Sequence, residues 1–134
     1  MRNVIQQSVL LPATAEELFR VYLDPEAHAA ITGAPVEIGK EPGAGFKAFE
    51  GMLTGQILAV VEPRFIVQSW RSGMFHEGDP DSTLMLVFKD EEGQGRIDLV
   101  HLDVPDHDYD DVVAGWEKYY WKPWRTYLEC GNTG

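Results

Sequence analysis

The stretch from Asp106 to Glu129 constrains this chain more than any other. Read as a helix at about 100° per residue from Trp116, it gathers Tyr109, Val112, Val113, Tyr119, Tyr120, Pro123, Trp124 and Tyr127 into one sector roughly 140° wide. So many rings on one side need a large apolar partner, so the rest of the chain must be built to cover them. Lys118, Lys122, Arg125 and Glu129 collect on the opposite side, which is the solvent face, with Arg125 and Glu129 spaced to pair. Pro105 followed by Asp106, Asp108, Asp110 and Asp111 marks the start, because carboxylates complement a helix N-terminus, and Gly131 supplies a stop. Two residues break the pattern. Gly115 implies close approach of a backbone or room left for something, and Pro123, lacking an N–H for the carbonyl of Tyr119, implies a kink that leaves space under the last turns.

Upstream, Asn3 to Leu11 alternates loosely and ends at Pro12, as a first strand does. Thr14 and Glu17 form a capping box ahead of Leu18, Phe19, Val21 and Tyr22. Asp24 and Pro25 then open a second short helix that ends near Gly33. From Pro35 the period changes to two. Val36–Ile38, Phe46–Phe49, Met52–Glu62, Arg64–Arg71, Thr83–Phe88 and Arg96–Val104 read as strands at hairpin spacing, with Gly51 and Gly55 placed for a bulge or bend. Strand, two helices, a run of strands and one long helix give an α+β fold in which a curved antiparallel sheet grips the C-terminal helix.

A length of 134 residues suits one domain, 1–134, with a core that needs no staples. The formal charge of −11 argues against nucleic acid or an anionic membrane as partner, since both reward Lys and Arg. Cys130 is the single cysteine and the N-terminus has no charged-then-apolar leader, so a cytoplasmic location is expected.

Ile31 to Pro35, Gly43 to Phe49, Gly51, Thr54 and Gly55, Ile66 to Arg71, His101 with Val104 and Pro105, and Gly115, Trp116, Tyr120 and Trp121 carry a resemblance. Nearly the whole chain resembles the domain found in activators of the heat-shock-protein-ninety ATPase. That family lies within the START-like, helix-grip superfamily of lipid carriers, hormone receptors, pollen allergens and polyketide cyclases. The resemblance implies a pocket between helix and sheet and a stress-response setting, and it implies no single chemistry. Eukaryotic activators look like two domains, whereas this sequence has the length of the helix-grip domain alone. Phe75 also stands where a tryptophan is expected.

His101 is the sharpest polar signal. It shares a strand face with Ile97, Leu99 and Asp103, so it points toward the helix, either as a proton-exchanging group in the pocket or as a scaffold histidine bonded to a neighbour. Glu50 and Arg71, at strand ends, are either a second polar pair for His101 or solvated termini. His76, Glu77, Asp79 and Asp81 sit close together, yet their irregular spacing in a turn-rich segment reads as a solvated loop, and no metal or other cofactor is expected. Phe49, Trp70, Met85, His101, Trp116, Tyr120 and Trp124 are the candidate lining of a cavity, with a packed core as the alternative. Trp121 falls outside the stripe, at about 140°.

The leading expectation is therefore a START-like domain that binds a small apolar or aromatic ligand, the lipid class included, between helix and sheet. The alternatives are a cyclase-, dehydratase- or hydrolase-type enzyme using His101, and a chaperone-associated interaction module. Chaperone contact is expected to be weak, and a homodimer is expected to use loop 72 to 82, with Phe75, or the Trp121 edge as its aromatic anchor.

Overall fold

The computed structural model describes residues 3–131. Thr14 opens α1 (Ala15–Leu23) as its spacing from Glu17 predicts, its hydroxyl accepting from the Glu17 amide at 3.1 Å. Asp24 caps α2 (Pro25–Thr32) through the Glu26 amide, and Gly33 closes it in the left-handed region at φ 81°. The two helices bury Leu18, Phe19, Tyr22 and Ile31 against the sheet and the C-terminal segment, with Phe19 edge-on to Phe88 at 5.6 Å.

The strands are β1 (Val4–Leu11), β2 (Val36–Ile38), β3 (Gly45–Ala48), β4 (Leu53–Val61), β5 (Phe65–Ser72), β6 (Ser82–Glu91) and β7 (Gln94–Leu102). They form one antiparallel sheet in the order β1-β7-β6-β5-β4-β3-β2. Consecutive strands from β2 to β7 pair as hairpins, and β1 closes onto β7 from Val4 opposite Leu102 to Leu11 opposite Gly95. Alternation sets the faces: Ile66, Gln68 and Trp70 of β5, Leu84, Leu86 and Phe88 of β6 and Ile97, Leu99 and His101 of β7 are buried, while the residues between them are half-exposed. At Gly55 the backbone of β5 comes so close that an added Cβ would lie 1.9 Å from the Ser69 carbonyl oxygen. The β4–β5 register shifts between Ile57 and Ala59, a bulge a few residues beyond Gly55 and not at either glycine.

The C-terminal segment departs from the single α-helix expected over Asp106–Glu129. A 3-10 turn (Asp106–Asp108) leads into α3 (Tyr109–Trp116), then a π-helical turn (Glu117–Trp121), then α4 (Lys122–Gly131). Asp108 sits at the N-cap of α3, and its side chain accepts no capping hydrogen bond among the described residues. Pro123 explains the π turn. Its ring cannot take its place in a regular ladder, and just before it the Lys122 amide reaches five residues back to the Glu117 carbonyl.

The extra residue in that turn makes everything after it lag by about 100° of rotation. Trp121 and Leu128, which a straight helix would put off the stripe, are turned into the core at 4% and 3% exposure. Tyr119, expected inside, is 45% exposed. Trp121 Nε1 donates to Gln7 Oε1 at 2.7 Å, and Gln7 Nε2 donates to the Val113 carbonyl at 3.2 Å, so β1 is tied to both sides of the π turn. The expectation that Trp121 anchors a partner is thus corrected: it is interior. No helix among the described residues is long and apolar enough to cross a membrane.

Candidate functional site

A groove of about 570 Å³ lies between α3, the π turn and the β4–β5 end of the sheet. Val112, Trp116 and Tyr120 form its helix side, and Leu53, Trp70 and Ser72 its sheet side. Trp70 and Trp116 meet at 6.3 Å between ring centroids, and Trp116 and Tyr120 at 4.9 Å, so the floor is one aromatic cluster. Gly115 lines the groove, and an added Cβ there would meet only the Tyr119 ring, at 3.6 Å. Among the described residues no backbone from another element comes within 4 Å of that Cβ, so of the two readings of this glycine the structure carries the second: it leaves room.

The mouth is apolar and strained. Phe49 packs edge-on against Tyr119 at 5.5 Å, with Met52 47% and Met74 61% exposed beside them. Phe49 and Glu50 hold φ of 52° and 57°, and Gly51 follows at 93°. Two consecutive side-chain-bearing residues in the left-handed region cost on the order of 1 kcal/mol each, a cost met at functional rims more often than in plain turns. Phe49 is therefore not the last residue of a strand, as the alternation suggested, but the start of this turn. At the other end, Asp108, Asp111 and Lys118 reach the groove. Burial, and then the neighbouring Asp111 charge, push the Asp108 carboxyl above its usual range. The Lys118 amine lies 5.1 Å from the Tyr119 ring centroid, a cation–π contact at the rim.

Of the candidate lining residues, the structure brings Phe49, Trp70, Trp116 and Tyr120 to the groove and leaves Met85, His101 and Trp124 out of it. Met85 is corrected by the strand pleat: it sits half-exposed between buried Leu84 and Leu86, on the face away from the helix. Trp124 lies beyond the π turn, stacked on Tyr22 at 6.5 Å and on Trp121 at 6.3 Å.

His101 is fully buried behind Trp116, which fits its scaffold reading. Trp116 Nε1 donates to His101 Nδ1 at 3.2 Å, and Nε2 meets Ser82 Oγ at 2.8 Å. Ser82 Oγ in turn donates to the Trp70 carbonyl at 2.6 Å. Since the indole can only donate, the imidazole is the neutral tautomer protonated at Nε2, and the relay runs Trp116, His101, Ser82, Trp70 in one direction. Burial lowers the His101 pKa to about 3. With both nitrogens committed to Trp116 and Ser82 and no wall on the groove, it has neither a free nitrogen nor the access that acid–base chemistry needs. Glu50 is exposed in the left-handed turn, and Arg71 serves a loop, so neither pairs with His101.

A second buried histidine gave no signal in the sequence. His28 Nδ1 lies 2.8 Å from the Tyr22 carbonyl and Nε2 lies 2.9 Å from the Tyr120 hydroxyl. Burial lowers its pKa to about 4. Tyr22 also donates to Gln68 Oε1 at 2.5 Å, so α1, α2, β5 and the π turn share one polar network behind the groove.

Loop 73–81 is ordered by Arg71. Its guanidinium donates to the carbonyls of Asp79 at 2.6 Å and His76 at 2.8 Å, and pairs with Asp81 at 3.2 Å. Phe75, expected as an exposed anchor, is 7% exposed: it lies against Trp70 at 6.0 Å, with the Arg71 guanidinium 5.7 Å over its ring. The aromatic ring turns inward because Trp70 offers it a larger apolar surface than water does. Met74 takes the exposed position instead.

With this geometry in place, comparison with known proteins gives a consistent result. The family model described as "Activator of Hsp90 ATPase homolog 1-like protein" matches residues 12–129. The human activator of 90 kDa heat shock protein ATPase homolog 1 is 29% identical over 107 residues, covering 80% of this chain and 31% of its own length. The chain thus spans about a third of the length of the curated relatives it matches. Among solved structures, an HSP90 activator from Plasmodium falciparum superposes with a TM-score of 0.82 at 21% identity, covering 96% of both chains. The Aha1 dimer from Colwellia psychrerythraea gives 0.74 at 11% identity, covering 87% of this chain and 90% of that one, and at these identities both speak for the fold alone. The family match spans every element from α1 to α4, and the chain belongs to the family of activator of Hsp90 ATPase homolog 1-like proteins.

Proposed function

We propose that this domain binds a small, mainly apolar or aromatic molecule in the groove between the C-terminal segment and the sheet, as a carrier or sensor and not as a catalyst. The observation that carries the reading is the aromatic groove of about 570 Å³ held open at Gly115. Its volume lies in the range of small-molecule sites, roughly 300–1,000 Å³, and its walls offer rings and a few polar groups at one end. A flat or elongated hydrophobic ligand, lipids included, would lie on Trp70, Trp116 and Tyr120 and enter past Phe49 and Met74. A cytoplasmic site of action suits the acidic charge and single cysteine. Titration with an uncharged fluorescent probe, N-phenyl-1-naphthylamine, tests the reading: saturable one-to-one binding supports it, and linear partitioning without saturation removes it.

A second reading, the chaperone-associated module, is favoured by the family and by relatives named for activating a heat shock protein ATPase. Phe75 and Trp121, the two anchors nominated from the sequence, are buried, and the large apolar side chains exposed among the described residues are Met52, Met74 and Tyr119 at the groove mouth and Val4, Leu58 and Val61 elsewhere. Stable partner sites centre on desolvated aromatic or Arg anchors. The same scarcity bears on a homodimer, for which the groove mouth is the best remaining surface. Added to a heat-shock-protein-ninety ATPase, the domain alone is expected to raise the rate less than about twofold. A robust stimulation that Met74→Asp abolishes with the fold intact would place the chaperone role first.

A further inference from the structure

Outside the groove, one side-chain cluster has a chemistry of its own. His76 and Asp79, in the loop between β5 and β6, meet His107, in the 3-10 turn before α3, with one donor atom from each residue lying within 4.8 Å of the others. The spacing of the loop residues alone gives no such signal, because the third member is 28 residues on in the sequence. His107 Nε2 lies 2.9 Å from Asp79 Oδ2, which also accepts from the His76 amide at 2.7 Å. The two imidazole rings stack at 3.8 Å with an interplanar angle of 8°.

We propose that His76, Asp79 and His107 form a divalent transition-metal site of the zinc class, completed by solvent, which clamps loop 73–81 to the lead-in of α3. Two imidazoles and one carboxylate are a donor set that suits zinc and its neighbours over calcium or magnesium, which prefer oxygen. In a tetrahedral site with bonds of about 2.0–2.1 Å, donors stand about 3.3 Å apart, so the cluster needs to contract by no more than about 1.5 Å. The face-to-face stack means that His76 must rotate out of it to direct a lone pair at the ion, and its side chain is exposed and free to do so. The backbone beneath is fixed already. Arg71 holds the carbonyls of both His76 and Asp79, so the two loop ligands are presented together and the ion has only the remaining motion of the loop to remove. The His107 ligand nitrogen gives up its hydrogen bond to Asp79, and the proton that it carries passes to the other ring nitrogen or to solvent.

The position of the clamp gives it a consequence. Met74, from the same loop, and Asp108, next to His107, both border the groove, so an ion here would stiffen one end of its wall. This step does not depend on what the groove binds.

The test uses the full chain, free of any histidine tag and dialysed against chelator, titrated with zinc sulfate and followed by calorimetry. One-to-one binding is expected, weakened at least tenfold in His76→Ala and in His107→Ala, with circular dichroism unchanged because both side chains are exposed. Hydrogen exchange in residues 73–81 should slow on adding zinc to the wild-type chain and not to His107→Ala. Absence of binding, binding unaffected by either substitution, magnesium or calcium matching zinc, or unchanged loop exchange at saturation would each overturn the proposal.

Discussion

Lowering the pH from 7 to 5 is expected to remove about 4 kcal/mol of folding stability, about 2 kcal/mol from each of two buried histidines. His28 and His101 have folded pKa values of about 4 and about 3, both depressed from 6.5 by burial. Below pH 6.5 the unfolded chain therefore takes up protons that the folded chain refuses. The contribution is fully present above the unfolded value, falls with acid, and stops falling only when each folded pKa is reached. Both imidazoles are committed as neutral groups: protonating His101 would oppose the donor Trp116 Nε1–H, and protonating His28 would put a second donor against the Tyr120 hydroxyl. The paired carboxylates Asp79 and Asp98, held below their usual range, lose their contribution only in acid below the ordinary carboxylate pKa, outside this interval, and Asp108, shifted upward, acts weakly in the opposite sense. Urea unfolding at the two pH values measures the difference. Replacing either histidine by Gln should remove about half of it, whereas stability equal within about 1 kcal/mol at both pH values would show that the histidines are not held as described.

The second large effect separates two buried tryptophans that look alike in the sequence. Trp124→Ala should cost about 3–5 kcal/mol, because a ring 1% exposed and stacked between Tyr22 and Trp121 leaves a cavity the core cannot close. Trp124→Phe should cost no more than about 1 kcal/mol, since the Trp124 indole N–H is buried without a hydrogen-bond partner among the described residues and its removal forfeits no bond. Trp116→Phe should be the more costly of the two Phe substitutions. It strips His101 Nδ1 of its donor at a site with no water access, which adds about 1–3 kcal/mol to the lost volume. Equal destabilisation by the two Phe substitutions in thermal or urea unfolding would mean that the Trp116 to His101 bond contributes nothing.

These two residues also show how far the sequence could be read. Period and capping are enough for the meander from β2 to β7, both short helices and the burial of Trp116, because turn chemistry and alternation are local, whereas the pairing of β1 with β7 is long-range and has no such signal. The π turn was not legible as such. Pro123 announces a defect, but whether the helix bends or takes in an extra residue depends on what lies beneath, and here burying Trp121 and Leu128 decides it. That one-residue lag accounts for the misplacement of Tyr119 and Trp121 together. Met85 was misassigned for a simpler reason: on β6 both faces carry apolar residues, so hydrophobicity alone does not say which side of the pleat meets the helix. His28 and His107 act through partners 92 and 28 residues away, Tyr120 and Asp79, and no spacing in one sequence encodes such a meeting.

The most direct test of the groove as a ligand site is the affinity of N-phenyl-1-naphthylamine for the wild-type chain and for Gly115→Leu, with Gly115→Ala as control. Gly115 is helical with ordinary φ, and a Cβ there meets only the Tyr119 ring at 3.6 Å, so Ala is expected to keep probe affinity and to gain up to about 1 kcal/mol of stability. Leu fits the backbone equally well but projects into the groove, so the wild-type fold should persist while the probe binds at least tenfold more weakly. A folded Gly115→Leu chain that binds the probe as tightly as wild type would place the ligand elsewhere and contradict the account.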